Sequence, residues 1–260
     1  MVLYKHEMRM NKKSLALWTL CVGMMCFGCI LLYASLEGSI GEIANTFSDM
    51  GAMSAALGLD KMSLATLGGY YATEIAMMHN LGGAMFAAIL GTCLLSKEEE
   101  GHTTEFLHVA PIGRGKIVLA KYLTLASQIF LLNIICVGLY LLGFLLMGEE
   151  IPGKEMFLYH GAACMMQLEI GTLCFLLSAF SKRNRLGAGL GMTLLLFAAD
   201  MMCRIVPAIE DLKYITPFYY AGAADIFTEG KLNIFMLGIG AGITLFSYMA
   251  AGWRYVGKDL

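Results

Sequence analysis

Few residues on this chain have the chemistry for catalysis or binding. Glu169, with Gln167 two residues before it, stands 12 residues into an apolar run, where a carboxylate could face a translocation path or a helix interface. Asp200 and Arg204 are four apart, a spacing that puts opposite charges on one helix face and lets them pair. His79-Asn80 offers bonds between helices, and no His/Cys cluster has the spacing of metal ligands. Cys26 and Cys29 form a C-x-x-C inside an apolar run, without the water access that a redox thiolate needs. All eight cysteines read as small buried hydrophobes. H-E-x-x-H and G-x-S-x-G are absent, which argues against an intramembrane hydrolase. The Gly-Lys pairs at 115–116, 153–154, 230–231 and 257–258 are followed by Ile, Glu, Leu and Asp, so none completes a G-x-x-x-x-G-K-[ST] phosphate loop.

The elements that carry these residues are set by hydropathy. Of 260 residues 58% are hydrophobic and only 15% charged, where a soluble domain carries about 25% charged. Leu15 to Leu36 gives 22 uncharged residues in a row, enough to cross roughly 30 Å of hydrocarbon. The first run is too long for a signal h-region and reads as a retained span. Six spans are expected, near 15–36, 72–95, 120–147, 157–180, 186–206 and 232–252. They must be helical because hydrocarbon offers free backbone groups no partner. The fold class is therefore all-α, a single polytopic membrane domain over 1–260. Gly187, Gly189 and Gly191, and Gly238, Gly240 and Gly242, are expected to let neighbouring helices approach closely. No internal repeat of the inverted-half kind is visible.

Lys and Arg set the orientation. With the N-terminus inside, 13 of the 18 basic residues fall on the cytoplasmic side, four (Lys61, Lys154, Lys213, Lys231) outside, and Arg204 within a span. That bias follows the positive-inside rule and puts both termini in the cytoplasm. Residues 1–14 read as a basic, amphipathic interfacial helix drawn to anionic lipid. Outside lie a long connection at 37–71, a short acidic turn at 148–156 and a third connection at 207–231. The aromatics of Pro217-Phe218-Tyr219-Tyr220 suit a short helix on the outer surface. Asp200 and Arg204 come near the outer end of span five, where a structural pair is expected. Glu169 lies roughly 18 Å into span four at 1.5 Å per residue, near the midplane. A path-lining role and a neutral, bonded carboxyl both remain open for it.

Between spans two and three lies the segment 97–114, which faces the cytoplasm under this topology. Its acids Glu98–Glu100 are expected at the aqueous edge rather than buried. Thr103 or Thr104 can cap a helix over 103–110, and Glu105 suits its first turn. Phe106, Leu107, Val109 and Ala110 give one apolar face, and Pro111 ends the helix. Such a face needs a cover: lipid, the helix bundle itself, or another protein.

The stretch resembles the segment after the second span in permease subunits of ABC-2 type ATP-binding cassette exporters. There an acidic run, Gly, Thr and Glu, a short apolar helix, then Pro-x-x-Arg and a Lys form the coupling helix. The matching residues are Glu100, Gly101, Thr103, Glu105, Phe106, Leu107, Pro111, Arg114 and, more loosely, Lys121. Leu67-Gly68-Gly69-Tyr70, Thr216-Pro217-Phe218-Tyr219-Tyr220 and the terminal Lys258-Asp259-Leu260 are similar to other parts of the family. His102 is inserted relative to the commonest form, Gly113 replaces a frequent serine, and His108 interrupts the leucine run. The resemblance implies a multi-pass protein of a bacterial plasma membrane that dimerises with a second permease copy or a paralogue. It implies a separate cytoplasmic ABC ATPase that carries the ATP and Mg and seats the coupling helix, with no cofactor on this chain and no nucleic acid. A competing class is an ion-coupled secondary transporter or channel working through Glu169 or Asp200. The cargo is not readable from the outer loops.

Overall fold

The computed structural model describes residues 2–36, 46, 51–103 and 112–258. The described residues are helical, without a strand. Among them six helices are long and apolar enough to cross a membrane: Val2–Ser35, Leu67–Leu94, Arg114–Met147, Gly153–Phe180, Leu186–Ile205 and Ile234–Val256. These are spans one to six, and all six expected runs fall on them. The boundaries differ where charge misleads hydropathy. Span three begins at Arg114 rather than near 120, and its 34 residues reach about 50 Å, beyond the hydrocarbon thickness. Span one begins at Val2, so 1–14 is no separate element among the described residues. Its helix continues through a π turn at Leu20–Met24 into Met25–Leu36. Lys, Arg and Met are good helix formers, and a helix carries them into water without a break.

Spans two and four form the interior. About two-thirds of the central stretch of each is buried, against 22% for span five and 28% for span six. They approach closely at Gly91, where a Cβ would fall 2.3 Å from the carbonyl oxygen of Gly171 on span four. A larger residue there would force the two central helices apart. Only one glycine of each expected trio serves this purpose: Gly189 lies against Thr92 and Gly240 against Glu169, whereas Gly187, Gly191, Gly238 and Gly242 have nothing within 4 Å.

Residues 2 and 258 lie at one end of the bundle, with the Lys97–Glu100 turn and the 181–185 connection; this end is the terminal face. The opposite, distal face carries the short helix Ala52–Leu57 and the connection after span five. Part of that connection, the 3-10 turn Pro207–Tyr214, stays at the surface with no buried residue. The expected surface helix at 217–220 instead turns inward. Phe218, Tyr220 and Ala221 are 3%, 7% and 0% exposed. The cause is a set of partners inside the bundle. The Thr216 hydroxyl donates to Leu196 O at 2.9 Å, and Asn80 Nδ2 donates to Ala221 O at 2.9 Å.

Candidate functional site

At the terminal face four consecutive residues reach four different elements. Lys97 bonds the carboxylate of Glu7 on span one. Glu98 Oε1 meets Lys121 Nζ of span three at 2.5 Å. Glu99 pairs with Lys258, beyond span six. The Glu100 carboxylate accepts from Asn184 N, between spans four and five, at 3.1 Å. The acidic run is thus engaged and, at Glu98 and Glu99, largely buried, where the sequence suggested a free aqueous edge.

Lys121 is the anchor of this cluster. It is 0% exposed, as buried as any core leucine. An ammonium has three donors and no acceptor. Leu94 O and Glu98 Oε1 accept from it at 2.5 Å each, and Glu7 Oε1 lies at ion-pair distance, 3.3 Å. A buried cation is tolerated only when it is so surrounded.

The turn ends in a Schellman arrangement: Thr103 N donates to Glu98 O at 2.8 Å and His102 N to Glu99 O at 3.2 Å. His102, the inserted residue, takes the left-handed position with φ 53°, where glycine is usual. Gly101 N closes the preceding turn on Lys97 O at 2.9 Å. On the other side Arg114 Nη1 donates to Val256 O at 3.0 Å and Lys258 O at 2.7 Å. Of the expected coupling residues, Glu100, Gly101, Thr103 and Arg114 are therefore placed; Glu105, Phe106, Leu107 and Pro111, with the helix expected over 103–110, lie outside the described residues from 104 on.

Mid-bundle, His79 and Gln167 share one polar network that is closed to solvent, both at 0% exposure. Asn133 Oδ1 lies 3.0 Å from His79 Nε2, and Tyr140 Oη 3.1 Å from Nδ1. An amide oxygen only accepts, so with a neutral ring Nε2 carries the proton and Nδ1 accepts from Tyr140. Asn133 Nδ2 donates to Gln167 Oε1 at 2.6 Å. These bonds join spans two, three and four within one chain.

Glu169 stands apart from that network although it is two residues from Gln167. Its Oε2 accepts from the Tyr220 hydroxyl at 2.8 Å. A Cβ on Gly240 of span six would lie 2.5 Å from the same oxygen. A crevice of about 10 Å³, room for roughly one water, lies beside it and is lined by Glu169, Tyr220 and Lys213. Tyr220 and Lys213 also line a cavity of about 220 Å³ at the distal face, together with Lys61, Tyr219, Asp225 and Lys231. The carboxyl thus lies one aromatic ring below that cavity.

The Asp200–Arg204 pair is present, at 3.2 Å from Nε to Oδ1. It belongs to a larger distal cluster that the spacing alone could not reveal. Arg204 Nη1 reaches Asp225 Oδ2 at 2.9 Å, and Lys61 Nζ reaches Asp225 Oδ1 at 2.5 Å. The Arg204 guanidinium also lies 4.6 Å above the Tyr219 ring. Burial alone would raise the Asp225 carboxyl, but Arg204 and Lys61 outweigh it and hold the group below 3.8. Burial would lower Lys61, yet its bond to Asp225 leaves it above 10.5.

A family model described as "ABC-2 family transporter protein" matches residues 1–255. No curated protein matches the chain.

Proposed function

The chain belongs to the ABC-2 transporter family, and from that premise we propose that it is the permease subunit of an ATP-driven exporter, powered by a separate cassette ATPase. The terminal face is then cytoplasmic, in a bacterial plasma membrane, and a second permease copy or a paralogue completes the path. ATP and Mg sit on the partner, in keeping with the missing phosphate loop here. Residues 97–114 form the coupling segment. The observation that carries this reading is the fastening of both its described flanks. Glu98, Glu99 and Glu100 at its start and Arg114 at its end are all bonded to the bundle. A partner that pushed on the stretch between would move several spans at once. Glu169, beneath Tyr220 and the distal cavity, is the carboxyl we assign to the translocation path, with Asp200 and Arg204 as a structural brace.

The test is co-purification with a cassette ATPase, sought first in the neighbouring reading frame. Charge reversal at Glu105 combined with Phe106→Ala should abolish docking while membrane insertion stays intact; unchanged docking would remove the assigned segment. Glu169→Gln should impair transport more than folding, and normal transport by that variant would take Glu169 out of the mechanism.

A further inference from the structure

Span six touches both candidate regions. At the terminal face Arg114 donates to Val256 O and Lys258 O, and Lys258 Nζ bonds Glu99 and, at 3.4 Å, Ser181 O. Chain on either side of 104–111 is thereby tied to one short stretch, Val256–Lys258. That stretch follows directly on the helix Ile234–Val256. Sixteen residues back along the helix, about 24 Å at 1.5 Å per residue, Gly240 lies against the Glu169–Tyr220 contact. The absence of a side chain lets the helix come this close: a Cβ would meet Glu169 Oε2 at 2.5 Å and the Tyr220 ring at 3.1 Å.

The length between these two points is seated along one side. Thr244 and Ser247 are 7% and 2% exposed. The Tyr248 and Tyr122 rings are 4.4 Å apart, and Ala251 and Tyr255 are buried at 0% and 2%. No break interrupts the helix. A packed helix transmits displacement along its axis because its hydrogen-bond ladder resists stretching and its neighbours resist sideways escape.

We propose that span six is a lever, gripped at the terminal face by Lys258 and Arg114 and bearing through Gly240 on the Tyr220–Glu169 contact. Lys258 is then a positioning residue for a contact about 24 Å away. The source of the force rests on the ATPase reading above; the linkage itself does not.

The experiment is hydrogen exchange of the full chain in lipid nanodiscs without any ATPase, read on the backbone of 217–222 and of 97–103. Lys258→Ala should speed exchange at both sites, by about tenfold at the distal one, within the usual range of coupling between sites. Lys258→Arg, which keeps the charge, should restore wild-type rates, as should the swap of Glu99→Lys with Lys258→Glu. Lys182→Ala, an exposed cation on the same face, should leave 217–222 untouched. Coupling is reciprocal, so Gly240→Ala should speed exchange at 97–103. Faster exchange at 97–103 with an unchanged 217–222 in Lys258→Ala would overturn the lever. So would a Gly240→Ala variant that loosens 217–222 alone. Unchanged ATPase docking in the earlier test would remove the assigned coupling segment and leave these outcomes standing.

Discussion

The two ends of the bundle use the same chemistry at different depths. At the terminal face Lys121 and Glu7 are 0% and 1% exposed in their side chains, and the cluster joins the ends of spans one, three and six to one short turn. At the distal face Lys61 is 40% exposed and Asp225 24%, with Arg204 at 10%. Six charges pair in the terminal cluster and four in the distal one, but the greater difference is in the water. A buried charge that loses its partner stays in low dielectric, whereas a half-exposed one is rescued by solvent. The terminal cluster should therefore behave as one rigid joint and the distal cluster as a looser clasp.

The largest effect expected from this contrast is at Lys121. Lys121→Met keeps the stem and removes the charge, leaving Glu98 with only Lys97 at 4.0 Å, and should cost about 3–5 kcal/mol. Thermal unfolding of the purified chain would measure it; a loss below about 1 kcal/mol would mean that the terminal joint is no stiffer than a surface pair. Arg204→Met should cost less, about 2–3 kcal/mol, because Asp200 is left buried but Asp225 retains Lys61. The smallest effect is expected at Lys61→Ala, about 0.2–1 kcal/mol after screening by water.

The pH dependence of that last gap sharpens the comparison. A carboxylate held below its ordinary value contributes stability that is complete above 3.8 and is lost as the pH falls through its lower folded value. Lys61, held above 10.5, contributes stability that is complete below 10.5 and is lost as the pH rises through its folded value. The difference in unfolding temperature between wild type and Lys61→Ala should thus be flat from about pH 5 to pH 9. A slope inside that window would show that Asp225 and Lys61 are not the pair that sets it.

The spans were readable because twenty apolar residues in a row have few other uses. Their ends were not, since hydropathy marks hydrocarbon rather than helix; spans one and three run on through Lys, Arg and Met into water. Asp200 and Arg204 were readable as a pair because four residues make one helical turn. Asp225 and Lys61 were not, being brought in from other parts of the chain. The same holds for Glu169. Its depth was visible in the sequence, but its partner Tyr220 is 51 residues away, on a stretch whose aromatics suited the membrane interface equally well. Lys121 entered only as a loose match to a family pattern. Nothing local marks a lysine that will be fully enclosed, although a basic residue seven places past Arg114 and a run of three acids with no basic neighbour beyond Lys97 were signals of a counter-charge elsewhere.

The enclosure of Lys121 also fixes an order of events during synthesis. Glu7 is made 114 residues before the lysine that it will share with Glu98. Lys97, made at the end of the second helix, is the first cation to reach that carboxylate, and until span three has entered the bilayer water must stay around the pair. The first helix therefore waits, undocked at that end, through the insertion of the second, and locks only when the third arrives to dry the seam.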